Sequence, residues 1–412
     1  MSHTVGVPTP SPTTPGEPGA PAGSVGHRLA VARVRAGLTR RELATRARLR
    51  VGRIIQVERG DLPASPALTA AVAAGLHLDT DTLYGQPYPL APDADQAAIP
   101  ALRAALDAAE DPEPIGEPMT VPELRARLRD ADTDRAHGRY AQLAAALPEV
   151  LQHGHALRTR TPPGPAAPLV WALLADAGLL AQSVAYRFGY LDLALRCAER
   201  ARHAAAHSED LLRLALAAAA RSRLHLHRGQ HAAALRLLDR AHTLIADHTG
   251  PTADAVRVHL HLCQVIAYAR HGAADTAETH LATAYELIAR GVPTSPYPTV
   301  HASATNADLY GVALAVEVDD PTAALHRAGQ IKIPTGEPPA RLARHHLDLA
   351  RAHALHGEHP QALDALAHAR VLAPQLVCYH PQAHETLHFL TETARRNPDT
   401  LAGFARWIGV TL

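Results

Sequence analysis

From Pro122 onward the chain repeats one unit: an apolar helical segment, a short turn, a second helical segment, and a connection to the next pair. The pairs are expected at 122–136 and 139–157 around Gly138, 169–187 and 190–206 around Gly189, and 211–228 and 231–246 around Gly229. They continue at 254–271 and 274–289 around Gly272, 303–318 and 322–328 around Asp319-Asp320-Pro321, and 339–356 and 360–372 around Gly357. Segments 384–395 and 400–407 close the series, with Phe404 and Trp407 expected to cover its last apolar edge. The turns recur every roughly 40 to 50 residues, in the range of helical-repeat solenoids and looser than the tetratricopeptide period. Alanine-leucine runs such as Ala232-Ala233-Ala234-Leu235 and Ala362-Leu363-Asp364-Ala365-Leu366 open second helices. Alanine lets neighbouring helices approach closely, and leucine fills the gap between pairs. A single pair cannot bury its apolar face, so each depends on its neighbours.

The first part of the chain follows other rules. Residues 1–24 carry Pro8, Pro10, Pro12, Pro15, Pro18 and Pro21 among glycine, serine and threonine, and are expected to be disordered. Residues 25–86 form a head. Within it, Leu38 to Gly60 predicts two short helices around a tight turn. Thr39 and Glu42 make a capping box at the start of the first. Leu43, Ala44 and Ala47 supply its inner face; Leu49, Ile54 and Val57 supply that of the second, which Gly60 ends. A helix from His27 to Gly37 is expected behind them, with Leu29, Ala30, Ala32 and Val34 inward. Ser65-Pro66 opens a fourth helix and Asp79 to Tyr84 makes a fifth. Two crossing helices of this kind form a helix-turn-helix, whose second helix enters the major groove of DNA. Residues 87–118 read as an exposed linker: proline clusters flank one helix near 97–109. The repeat body takes 119–412. The class is therefore all-α: a five-helix repressor-like head followed by a tetratricopeptide-like α-solenoid.

Charge separates the two parts. The formal net charge is +0, yet nine arginines between Arg33 and Arg59 crowd the motif against only Glu42 and Glu58. A basic head on an acidic body fits double-stranded DNA as a partner. Lys332 is the only lysine, so a bias toward arginine is present, but that bias does not explain a local excess. Cys197, Cys263 and Cys378 are isolated and odd in number, which fits a reduced cytoplasm. No secretion signal is read, and no stretch is taken as a membrane span, Leu211 to Ala220 being short and interrupted by Arg213.

The order of residues also resembles a family, the phage-repressor-like (XRE) helix-turn-helix proteins. Thr39, Glu42-Leu43-Ala44, Ile54 and Val57-Glu58-Arg59-Gly60 fall where that signature places them. Gly85-Gln86-Pro87-Tyr88, Ser183 to Tyr190, Arg344 to Arg351 and Tyr379-His380-Pro381 look like landmarks of actinobacterial members that carry a tetratricopeptide-like body. The resemblance implies a sequence-specific transcriptional regulator in which Arg33 pairs with Glu58. It puts the DNA-facing positions on Thr39, Arg40, Arg50, Val51, Gly52, Arg53, Gln56 and Arg59, with base edges reached from Val51, Gly52 and Gln56. Gln56 can pair bidentately with adenine, whereas valine offers only apolar contact and glycine only its backbone. Arg48 stands where the turn usually has glycine, Arg50 where a small hydroxyl usually caps, and Arg40, in place of glutamine, is placed for a phosphate. One short recognition helix reads too few bases for selective binding, so a homodimer held by the body is expected.

The concave face of a solenoid, lined by first helices, is the expected place for a peptide, small-molecule or protein ligand. Gln182, Tyr186, Gln264, Tyr268, Asn306, Tyr310, His346 and Arg351 lie on those helices. The 28 histidines do not spell a metal site: His153/His155, His225/His227 and His259/His261 are two apart and point to different faces, and His353/His356 have no carboxylate or cysteine at a ligand position. No phosphate-binding glycine loop and no Gly-x-Ser-x-Gly elbow is present, so neither catalysis nor a cofactor is expected. The alternative is an interaction scaffold whose head binds DNA weakly or without sequence preference.

Overall fold

Capping residues set the helix starts of the head. In the computed structural model, which describes residues 20–88, 94–112, 115–292, 295–393 and 398–409, the Ser24 hydroxyl accepts the His27 amide at 3.1 Å and opens α1 (Val25–Arg35). Thr39 and Glu42 exchange hydrogen bonds at the start of α2 (Arg40–Ala47), and Ser65 caps α4 (Pro66–Leu76) after α3 (Val51–Arg59). α5 (Thr80–Tyr84) completes the head. Val25, Leu29, Leu43, Ile54, Val57, Val72 and Leu83 form its core. Val34, expected inward, is 52% exposed. Leu29 and Arg33 lie one turn apart on the buried side of α1, and Val34 sits about 100° further round the helix. Residues 1–19 of the expected tail, with Pro89, Pro92 and Pro114, lie outside the described residues.

After a 3₁₀ turn (Ala94–Gln96) and α6 (Ile99–Asp107) the hairpins follow in order. They are α7 (Val121–Ala136) with α8 (Tyr140–Arg160), α9 (Ala167–Arg187) with α10 (Leu191–His207), and α11 (Leu211–His227) with α12 (His231–Leu244). Next come α13 (Pro251–His271) with α14 (Ala274–Ala289), α15 (Ala304–Glu317) with α16 (Pro321–Gln330), and α17 (Pro339–His356) with α18 (His359–Leu372). α19 (Pro374–Cys378), α20 (Pro381–Thr393) and α21 (Pro398–Ile408) finish the chain; the short α19 was not anticipated. Among the described residues every α-helix or 3₁₀ element is accounted for by this series, and there is no strand.

The body is not an open array. The first helices α7, α9, α11, α13, α15 and α17 each pack on the next, and α17 packs back on α7. The closure is apolar: Leu124 and Leu128 of α7, Leu143 and Leu147 of α8, Leu347 of α17, Leu376 of α19, Leu387 of α20 and Ile408 of α21 belong to one cluster. Tyr379 meets Phe188 edge-on at 4.8 Å, and Gln375 Oε1 accepts the Ala141 amide at 3.0 Å across the same seam. Phe404 and Trp407 meet edge-on at 5.4 Å at the C-terminal end of this cluster, with Arg370 of α18 over both rings. The stretch expected as an exposed linker also enters this core, since Ile99, Leu102 and Leu106 of α6 are buried in it.

Close approach within hairpins relies on small residues. A Cβ at Gly178 of α9 would lie 2.9–3.0 Å from Ala201 of α10, so the two helices touch nearly backbone to backbone. α9 corrects one expectation: its 21 residues are long and apolar enough to cross a membrane by length and composition. Its apolar window is 78% buried, and it serves here as a core helix of the ring.

The head sits on the ring face made by the hairpin turns. Ala70 of α4 packs on Gly229, where φ is +70° and an added Cβ would meet the Ala70 methyl at 2.7 Å. Tyr84 meets the His227 ring at 5.6 Å, and Tyr88 stacks on His384 of α20 at 3.9 Å. Glu385 of α20 accepts the Val25 amide at 2.9 Å at the start of α1, and the Ala64 amide as well. Burial pushes the Glu385 carboxyl up to about 7.

Candidate nucleic-acid interface

The recognition helix α3 is fixed by one buried carboxylate. Glu58 accepts from Arg33 Nε at 2.6 Å, Arg33 Nη2 at 3.0 Å and Arg40 Nε at 2.6 Å, while Arg33 Nη1 donates to the Leu38 carbonyl at 2.9 Å. The Glu58 side chain is 1% exposed, so three charge-assisted bonds compensate its desolvation. This arrangement clamps α1, α2 and α3 together. Arg40, expected to face a phosphate, places its Nε on Glu58 and keeps its side chain 38% exposed.

Arg48 ends α2 in the left-handed region at φ +55°, a conformation glycine adopts without a Cβ penalty. Arg50 precedes α3 with no side-chain cap, as a residue without a short acceptor must. Val51, Gly52 and Gln56 face solvent, and a Cβ built at Gly52 would meet nothing within 4 Å. Arg50 is exposed beside them, as are Arg35, Arg41, Arg46 and Arg48 elsewhere on the head. Thr39 is held in its capping box, and Arg59 is half-buried at the far end of α3. Arg53, three residues before Gln56, reaches the ring: its Nη2 pairs with Asp319 in the α15–α16 turn. The second oxygen of Asp319 accepts from Arg351 Nη2 at 3.0 Å. One carboxylate therefore joins the recognition helix to a buried arginine of α17.

The eight first-helix residues expected to line a common groove are not brought together. Gln182, Gln264, Asn306 and Arg351 are buried, at 1–3% exposure. Asn306 is fully engaged, its amide donating to the His301 carbonyl at 2.6 Å and its oxygen accepting from Arg341 at 2.6 Å. Gln264 bridges Asp239 and His242 of α12, and Tyr268, one turn on, stacks on His280 of α14 at 5.1 Å. These two face second helices. His346 likewise turns to His368 of α18, and burial lowers its pKa to about 4. Tyr186 meets His227, and Tyr310 packs on the core between α13 and α14. Sequence reasoning placed each on the correct helix, but Gln264, Tyr268 and His346 turn toward second helices, a side it did not give. It also missed Glu358, whose two oxygens take His353 Nδ1 at 2.6 Å and His356 Nδ1 at 3.2 Å, so a carboxylate does stand beside that pair. Among the described residues no group of three or more such side chains is arranged to hold a metal ion.

Polar and charged residues fill the ring where the head sits: Arg344, Asp348 and His380 belong to stretches that carry the resemblance, while Arg270 and Glu317 were not singled out. Arg270 pairs with Glu317 at 2.6 Å, with both side chains at most 13% exposed, and Arg344 pairs with Asp348 at 3.0 Å. Arg344 also reaches His380, whose pKa burial lowers well below the usual value. The signal for Arg270 and Glu317 was faint, since they lie 47 apart in sequence at the ends of α13 and α15, whereas Arg344 and Asp348 are spaced i, i+4 along α17.

No family model matches the chain, and no curated protein matches it. Among solved structures, the crystal structure of Bacillus thuringiensis PlcR in complex with the peptide PapR7 and DNA is similar at 11% identity and a TM-score of 0.30. That likeness covers 84% of this chain and 99% of the other.

Proposed function

We propose that the chain is a DNA-binding transcriptional regulator of the phage-repressor-like kind, a binding protein and not an enzyme, that acts as a homodimer and answers to a peptide or small-molecule signal held by its body. The observation that carries this is the open face of α3: Val51, Gly52 and Gln56 stand in solvent with Arg50 beside them, on a helix clamped by Glu58. Such a surface suits phosphates from the arginines and one base edge from Gln56. In the complex, Arg53 exchanges Asp319 for a phosphate, so DNA and the α15–α16 turn compete for one guanidinium. A signal that changes the hold of Arg351 on Asp319 then reaches the recognition helix directly, because a ligand shifts affinity only through contacts that differ between states.

The test is selection of binding sites from random duplexes. Wild type should enrich one sequence, and Gln56→Ala should relax a single position by about 1–3 kcal/mol. No enrichment would move the chain to the second reading, a scaffold with non-specific DNA binding. Val51 and Gly52 favour that reading, because valine offers a base edge only apolar contact and glycine only its backbone. Light scattering that gives a monomer with and without DNA would remove the dimer.

A further inference from the structure

A cleft of about 370 Å³ opens between the end of α6 and helices α8, α9 and α10, away from the head and from every residue discussed so far as a ligand contact. Its walls are apolar: Leu106 from α6, Leu151 from α8 and Leu174 from α9. Its polar groups are mainly basic, with Glu110 the one carboxylate among the lining residues. Arg158 of α8 and Arg200 of α10 bring two guanidinium groups, and His155 and His203 bring two imidazoles. Burial lowers the His155 pKa to about 4, so it is neutral at pH 7 and the charge of the cleft comes from the arginines.

The position of Arg158 is set by Trp171 and Ala109 in the cleft wall. Its guanidinium lies over the Trp171 ring at 5.3 Å, and Trp171 is held by the stacked His207 ring at 4.7 Å. Arg158 Nη2 donates to the Ala109 carbonyl at 3.1 Å, and among the described residues no carboxylate pairs with it. Two buried nitrogens here have no hydrogen-bond partner: Arg158 Nε and Nδ1 of His155, which is 9% exposed. A buried polar atom without a partner is costly, and a ligand that supplies one relieves that cost. Arg200 already shows the chemistry it takes, because Glu110, itself 82% exposed, lays a carboxylate oxygen on it at 3.1 Å. An exposed pair of this kind is weak and readily exchanged.

We infer that this cleft binds a small organic carboxylate with an apolar body, its carboxylate taken by Arg158 and Arg200 in place of Glu110 and its body packed among Leu106, Leu151 and Leu174. The volume suits a ring or a short acyl chain, within the size range of small-molecule sites. The inference deepens the sensor part of the proposed function by naming a ligand class. Binding is measured without DNA, so failure of the cleft leaves DNA recognition standing, and failure of DNA recognition leaves the cleft standing.

Trp171 is one of two tryptophans, so a Trp407→Phe background reports on the cleft by fluorescence. Benzoate titrated into the full chain should give a saturable change with a Kd on the order of 0.1–1 mM. Benzyl alcohol, which keeps the ring without the charge, and inorganic phosphate, which keeps charge without the ring, should each bind roughly tenfold more weakly or worse. Arg158→Gln should weaken benzoate by a similar factor. Glu110→Gln, an exposed change that leaves the fold alone, should tighten it by removing the competing carboxylate. The site is overturned by an absence of saturable benzoate binding, by benzyl alcohol binding as tightly as benzoate, or by a Glu110→Gln variant that binds no better than its parent.

Discussion

The head and the ring solve the same problem, orienting short helices, by opposite means. In the head, three helices converge on a single carboxylate, Glu58, which has almost no contact with water. In the ring, orientation is shared among many alanine and leucine contacts and then locked by bringing the last helices onto the first. A concentrated device fixes one helix accurately and fails at one residue. A distributed device tolerates loss at any one place and gives no single position special authority. That difference suits a part whose α3 must present a defined face and a part that must carry it.

The sharpest way to break the comparison is to remove the concentrated element. Glu58→Ala should destabilise the head by about 3–5 kcal/mol, because Arg33 is left buried without its partner. Thermal unfolding should then split into an early head transition and an unchanged ring transition; a single shifted transition would show that the two parts do not melt separately. Leu102→Ala tests whether α6 belongs to the ring. It should cost about 2–4 kcal/mol and lower the ring transition, whereas a true linker helix would leave that transition in place.

The joint between the parts should respond to pH. The Glu385 carboxyl rises from an ordinary 4.5 to about 7 where it lies buried under Val25 and Ala64. The docked state therefore holds this proton more tightly, so the contribution of Glu385 to docking is full below about 4.5, falls as pH rises and is lost above about 7. The neighbouring His384 and His388, lowered by burial to about 4 and about 3, act in the opposite sense, because once exposed they take protons below their ordinary 6.5; Arg28 partly offsets the rise at Glu385. Glu385→Gln keeps the histidines and removes the carboxyl, so from pH 5 to pH 8 the distance between labels on the head and ring should shift toward undocking more in the wild type than in the variant, by a difference worth at most a few kcal/mol; the same pH dependence in both would remove Glu385 from the joint.

Two smaller effects sharpen the contrast. Thr39→Ala removes one side of the capping box at α2 and should lower head stability by about 1 kcal/mol, read as a shift in the head transition alone. Asp319→Asn frees Arg53 from the ring and should raise affinity for any duplex by roughly twofold to tenfold, with a steeper salt dependence. Unchanged affinity would mean that Arg53 does not reach DNA.

What the sequence made legible follows the same division. Local chemistry located the head: Thr39 with Glu42, Ser65 before Pro66 and Gly60 after α3 all sit at the helix ends they announced. The hairpins were equally plain, because each turn is marked by glycine or by Asp319-Asp320-Pro321. Ring closure was not readable. It depends on the small rotation between successive hairpins, a sum over many interfaces that no single residue records. The sides of the first helices were lost for the same reason: Gln264 and Tyr268 share a face by spacing, but only the position of α12 and α14 decides that the face is not the inner one. Val34 misled because apolarity alone was taken to point inward, when Arg33 held that place for Glu58.

The circuit of first helices has a consequence for how such a chain can change over generations. An open spiral grows or shrinks by whole hairpins, since a duplicated unit finds the same neighbours as its template. A circuit in which α17 returns to α7 has no place for an added unit and no way to span a missing one. Descent of this body therefore proceeds by substitution within a fixed number of hairpins and by lengthening of the connections between them. Gene duplication inside the repeat region would be expected to leave few surviving products.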